Sequence, residues 1–220
     1  MSRPTSRDLR SDLLTSATKL FAARGYAKVR VDDITTQAGV SKGTFYNYFD
    51  SKPELLCSIV AELMAKLRAN IDATMTALPE APTELLRSVL ITHVTTVLEN
   101  QSVLRIYFRE QAHLGRECRM NVNRQARQYR AVIAEVVSRG IEAGEFKSIP
   151  PTVAASNLLD ICNGPYIWFS AEGEMTSGQV AALCADIGVD GLCLRDRPSR
   201  PNRDGSPKGY EERSDASSTK

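Results

Sequence analysis

The side chains best suited to chemistry lie close together between Lys42 and Lys52. Lys42, Gly43, Thr44, Tyr46, Asn47 and Tyr48 are the outward positions of one short helix, and they donate hydrogen bonds or permit close approach. Such groups at the N-terminal end of a helix suit the major groove of double-stranded DNA, where base edges carry a donor and acceptor code. Thr44 and Asn47 fit base edges or methyl groups, Tyr46 fits a phosphate, and Gly43 leaves room for the backbone itself. Ser51, Lys52, Pro53 and Glu54 then spell the start of a further helix, with a capping serine, a proline in the first turn and a glutamate three residues on. Lys52 sits where free amides and the positive end of the helix dipole also attract a phosphate.

Covalent chemistry finds less support. The two histidines, His93 and His113, are too far apart for the i, i+4 pair that binds a metal on one helix, and each reads as a satisfied polar residue. Nucleophile-elbow and phosphate-loop patterns are absent, and Cys118 with His113 has nothing to orient it as a nucleophile with its base. No catalytic residue, metal site or cofactor is expected. Cys57, Cys118, Cys162, Cys184 and Cys193 are odd in number and scattered, and they read as free or buried thiols of a reducing compartment. No signal peptide or membrane-length apolar run stands out, so a cytoplasmic protein with no membrane partner is expected.

The elements that must position these groups are helices. Leu9, Leu13, Ala17, Leu20 and Phe21 recur at helical spacing over about 7–24, and Gly25 supplies the stop. Asp32 and Asp33 open a second helix, Gly39 ends it, and Ser41 caps the third. The result is a helix-turn-helix over about 30–49, with Phe45 and Phe49 facing inward. A fourth helix runs from Lys52 into the late seventies, where Pro79 and Pro82 break the chain. Helices follow over about 83–99, 102–114, 117–143 and 152–171. A last one starts at a capping box of Thr176 and Gln179, with Val180, Leu183, Cys184, Ile187, Gly191 and Leu194 as its stripe. Gly188 and Gly191 would permit close helix approach. The net charge is +2, yet residues 1–52 hold nine Lys and Arg against five Asp and Glu, a local excess suited to phosphate. From 196 to 220 the chain is Arg, Pro, Ser, Gly and Asp without periodicity and is expected to be disordered.

Gly39-Val40-Ser41-Lys42-Gly43-Thr44, then Tyr46, Tyr48-Phe49, Ser51-Lys52 and Leu55-Leu56, resemble the N-terminal domain of the TetR family of transcriptional regulators. The resemblance implies an all-α fold with a DNA-binding domain over 1–51 and an effector-binding and dimerisation domain over 52–195. The family usually has Ser or Thr where Arg30 stands, so either the second helix starts weakly or Arg30 reaches a phosphate itself; Thr36 is a lesser candidate. The last two helices correspond to the pair that dimerises such proteins. One short helix contacts few base pairs, so a homodimer reading half-sites about one helical turn apart, ~34–36 Å, is expected.

By the same resemblance the body encloses an effector pocket, with Tyr107, Phe108, Tyr129, Asn163, Tyr166, Trp168 and Phe169 as candidates for its wall. Tyr129 to Phe169 loosely resembles relatives that sense fatty acyl-CoA or other lipid catabolites. The arginines from Arg116 to Arg130 either meet an acidic head group or solvate one side of a helix. The implied function is a repressor released from a palindromic operator by a small apolar or amphipathic effector. An activator or corepressor-dependent regulator of the same fold is the alternative, and a helical enzyme or carrier is a more distant one.

Overall fold

The computed structural model describes residues 6–77 and 81–194. The expectation of disorder over 196–220 lies outside the described residues. α1 (Ser6–Arg24) buries Leu13, Leu14, Ala17, Leu20 and Phe21 along one face. It ends at Gly25, whose φ of 81° is the left-handed conformation that lets a chain turn out of a helix. α2 (Val31–Ala38) starts without a side-chain cap, because arginine has no acceptor to offer; the Arg30 amide instead donates to Asp33 Oδ2 at 2.7 Å. α2 stops at Gly39, φ 68°, where the amides of Gly39 and Val40 donate to the carbonyls of Thr36 and Thr35. α3 (Lys42–Tyr46) begins where Ser41 Oγ accepts the Thr44 amide at 3.0 Å. Phe45 and Phe49 are buried beneath it.

α4 (Lys52–Ala77) has 26 residues, a length of about 39 Å at 1.5 Å per residue. Leu55, Leu56, Ile59 and Val60 on its first half complete the core of the N-terminal head, while Leu63, Leu67 and Ile71 on its second half enter a separate core in the body. The head core also takes in Ile106, Leu114, Cys118 and Val122 from farther along the chain. The two units therefore share α4 as a common strut.

The body comprises α5 (Pro82–Glu99), α6 (Gln101–Glu110), a 3-10 turn (Gln111–His113), α7 (Arg116–Glu142), α8 (Pro151–Asn163), α9 (Pro165–Trp168) and α10 (Ser177–Leu192). α5 lies at its centre, with Leu85, Leu86, Val89, Leu90, Val94 and Val97 all buried. The single helix expected over 152–171 is instead two. α8 ends at Asn163, and Pro165, which has no amide hydrogen to continue the ladder, starts the short α9. α10 opens on the capping box: the Thr176 amide donates to Gln179 Oε1 at 2.8 Å, and the Gln179 amide returns to Thr176 Oγ1 at 3.3 Å. A Cβ on Gly188 would lie 2.8 Å from Leu158 Cδ2 and 3.3 Å from Leu90 Cδ1, so glycine there lets α10 approach α5 and α8 closely. Gly191, by contrast, faces open space.

Two of the cysteines expected as thiols are not free. Cys57 on α4 and Cys118 on α7 form a disulfide with Cα atoms 5.9 Å apart, whereas Cys162, Cys184 and Cys193 are unpaired. Among the described residues no helix is long and apolar enough to cross a membrane.

Candidate nucleic-acid interface and sensor core

The reading face is built by α3 and its flanks. Arg30, Thr36, Lys42, Gly43, Tyr46 and Asn47 are exposed, and Thr44 and Tyr48 half-buried. Tyr46, 49% exposed, is braced edge-on against the buried Phe45 ring at 5.2 Å, so its hydroxyl is held outward on a fixed platform. The Thr44 hydroxyl shares a 2.8 Å hydrogen bond with Ser41 Oγ. Lys42 lies 2.8 Å from Asp32 on α2, and that hydrogen bond raises its pKa. The pair is solvent-exposed and contributes little to stability, so an incoming phosphate meets little resistance in taking the lysine over.

Lys52 has another task. Its ammonium donates to the carbonyls of Tyr26 at 3.0 Å and Val29 at 2.8 Å and lies 4.2 Å from the centre of the Tyr26 ring. Burial lowers its pKa, and the nearby Glu110 opposes that effect. In this conformation Lys52 fastens the α1–α2 turn to α4, with two of its three N–H groups engaged by protein carbonyls.

Opposite Lys52 is a polar joint that sequence reasoning missed. Glu110, buried at the end of α6, accepts from Arg109 Nε at 2.8 Å and lies 3.2 Å from His113 Nδ1; Arg109 Nη2 in turn donates to the Phe21 carbonyl at 2.9 Å. The Tyr26 amide points at the same carboxylate, 3.5 Å away. Glu110 stands four residues after the buried Ile106, on the inward stripe of α6, and that register was the available signal.

The candidate pocket residues do not converge on one wall. Tyr129 and Asn163 do meet, through His93: its Nδ1 lies 2.7 Å from the Tyr129 hydroxyl and its Nε2 3.2 Å from Asn163 Oδ1. Since Asn163 Oδ1 can only accept, Nε2 carries the proton and Nδ1 accepts from tyrosine. Burial lowers the His93 pKa to about 4, with the Asn163 hydrogen bond opposing, so the ring is neutral at pH 7. Burial also raises Tyr129, and pushes Cys162 up to about 12. Phe108 and Tyr166 stack at 4.8 Å on the α6–α9 side, Tyr107 packs against the head core, and Phe169 against the body core. Trp168 is 61% exposed and Phe108 is also exposed, so neither lines an enclosed wall.

α10 is apolar on two sides, which the expected interface stripe merged. Val180 and Cys184 are buried in this chain's own core and are unavailable to a second subunit. Leu183, Ile187 and Leu194 face outward with Gly191, as do Val153 and Ile161 on α8.

A helix-turn-helix head with a polar reading helix, coupled by one long helix to an all-helical body, defines a DNA-binding regulator with a sensor domain. Residues 13–59 match the bacterial regulatory proteins of the tetR family, and residues 79–192, more than half of the chain, match the tetracyclin repressor-like C-terminal domain. The chain is 30% identical over 193 residues to the HTH-type transcriptional repressor KstR2 of Rhodococcus jostii (strain RHA1), covering 83% of this chain and 90% of that protein. Its fold superposes on the TetR family transcriptional regulator PfmR from Thermus thermophilus with a TM-score of 0.75 (26% identity, 81% of this chain, 97% of the other). It also superposes on AibR in complex with isovaleryl coenzyme A and operator DNA with a TM-score of 0.72 (23% identity, 81% and 97%). The chain belongs to the TetR family of bacterial transcriptional regulators. It is a DNA-binding transcriptional regulator, in a family whose members are not enzymes.

Proposed function

We propose that a cytoplasmic homodimer of this chain represses transcription by holding a near-palindromic operator, and that an amphipathic effector of the acyl-CoA or another lipid-like kind releases it. The observation that carries this reading is the exposed polar face of α3, fixed from below by Phe45 and at its start by Ser41. Thr44 and Asn47 meet base edges. Arg30, Thr36, Lys42, Tyr46 and Tyr48 meet phosphates, Gly43 gives close approach, and Lys52 holds the head and offers its remaining N–H. The outward stripe of Leu183, Ile187, Gly191 and Leu194, with Ile161, forms the subunit contact.

The buried trio of His93, Tyr129 and Asn163 is the polar spot in the apolar body core, and a polar group of the effector enters there by exchanging hydrogen bonds with it. The effector acts only to the extent that it prefers the shape that does not bind DNA. AibR, a structural neighbour solved with isovaleryl coenzyme A, supports the effector class, and KstR2, a relative named as a transcriptional repressor, supports repression.

The test is titration of the purified protein against the DNA upstream of its own gene across a salt series, beside Tyr46→Ala. Saturable binding that falls steeply with salt and weakens in the variant is expected. Binding indifferent to sequence and to Tyr46→Ala, repeated with DNA chosen from a random pool, would defeat the reading. Isovaleryl-CoA and longer acyl-CoA thioesters then test release.

A further inference from the structure

Cys57 and Cys118 have no part in reading DNA or enclosing an effector. They are 61 residues apart in sequence and bonded to each other. Cys57 lies in the second turn of α4 beside Leu55, Leu56 and Ile59 of the head core, and Cys118 is the third residue of α7, near Val122 of the same core. The bridge thus ties the end of α4 nearest the reading helix to α7. Both cysteines line a surface groove of about 950 Å³ with Pro53, Arg116, Met120 and Arg124; Cys57 is half-buried and Cys118 buried, so small molecules reach the bridge from the Cys57 side. Glu54 and Glu117 also line it.

We propose that Cys57 and Cys118 are a reversible redox site, a dithiol–disulfide pair that latches α4 to α7 and weakens operator binding when oxidised. This rests on the DNA-binding reading above. In a reducing cytoplasm a disulfide within reach of small reductants is transient and signalling rather than structural. Cys57, the more exposed of the two, is the sulfur that meets an oxidant first. Its sulfur attacks a hydroperoxide, the O–O bond breaks, and a sulfenic acid and an alcohol result. The Cys118 thiol then attacks that sulfur, the S–S bond forms and water leaves. Two thiols and one hydroperoxide give one disulfide, one alcohol and one water, and a dithiol restores the pair by exchange.

With the thiols free, only packing holds the head end of α4 to α7, and two heads can adjust to their half-sites. The bridge removes that adjustment at the point closest to DNA.

The experiment compares full-length protein held in excess dithiothreitol with protein treated with tert-butyl hydroperoxide. Thiol titration in denaturant is expected to give five thiols reduced and three oxidised, with Cys57 and Cys118 in one crosslinked peptide by mass spectrometry. Operator affinity is expected to fall at least about fivefold on oxidation, within the range of ordinary coupling between sites. Cys57→Ser and Cys118→Ser should abolish the difference while keeping the affinity of the reduced protein. Five thiols after peroxide, unchanged or tighter operator binding on oxidation, or a difference that persists in both serine variants would overturn the proposal. If no operator is bound in either state the DNA-binding reading fails. Amide exchange over residues 52–60 then decides the latch alone: slower exchange when oxidised supports it, and equal exchange overturns it.

Discussion

The neutral imidazole at the centre of the body makes stability depend on pH in a defined window. His93 has a pKa of about 4 in the folded chain and about 6.5 in an unfolded one. Between those values the unfolded state binds a proton that the folded state refuses, so its contribution is fully present above pH 6.5 and is lost as pH falls toward 4. At about 1.4 kcal/mol per unit the whole loss is about 3 kcal/mol, and about 2 kcal/mol of it falls between pH 7 and pH 5, before most carboxylates titrate. The assay is urea unfolding at fixed protein concentration from pH 7 to pH 5, for the native chain and for His93→Gln. Glutamine keeps an acceptor for Tyr129 and a donor for Asn163 but does not titrate. Carboxylate contributions common to both cancel in the difference. The native chain should lose about 2 kcal/mol more than the variant across that interval. Parallel losses would refute the assignment of a buried, neutral His93 and with it the hydrogen-bonding direction given to the trio.

Three further outcomes follow from the geometry. Tyr46→Ala should leave stability within about 0.5 kcal/mol, since the ring is half exposed, while weakening operator binding; Lys52→Ala should cost about 1 kcal/mol by leaving the Tyr26 and Val29 carbonyls without their donor, lowering Tm by roughly 2–4 °C. Equal melting curves for the two would mean that Lys52 does not fasten the turn. Leu183→Glu with Ile187→Glu, at 47% and 55% exposed positions, should yield a helical monomer in sedimentation velocity, and an unchanged sedimentation coefficient would place the subunit contact elsewhere. Gly188→Val should destabilise by about 2 kcal/mol through overpacking against Leu158 and Leu90, whereas Gly188→Ala should stay within about 1 kcal/mol because helix propensity offsets a small shift of the leucine ends; thermal melts of both decide it.

What the sequence made legible was whatever is settled within a few residues. Gly25 and Gly39 stop helices because the turns there need φ of 81° and 68°, and Ser41 and Thr176 start helices because their hydroxyls reach an amide three residues on. The spacing of apolar residues in α1 and α4 gave their length and their buried faces for the same reason. Pro165 was the exception. Its effect was local and readable, yet the apolar run through Trp168 and Phe169 outweighed it in the reading.

Where the sequence left a contact unread, the deciding partner lies far along the chain. Lys52 has the neighbours of a phosphate ligand, but the carbonyls that engage it belong to residues 26 and 29, brought close only when α1 packs on α4. The period of α10 shows an apolar helix without saying which side meets α5 and which stays uncovered; burial separates Val180 and Cys184 from Leu183 and Ile187. Cys57 and Cys118 carry no pairing signal at a separation of 61 residues. These three cases share a location in the physical logic of the molecule. Lys52 and Cys57 both act on the first two turns of α4, and α10 packs on the body core that the far end of α4 enters. A strut whose two ends belong to different cores can pass on only what its fastenings allow. The residues hardest to read from sequence are those fastenings, because a fastening is by nature a contact between distant parts of the chain.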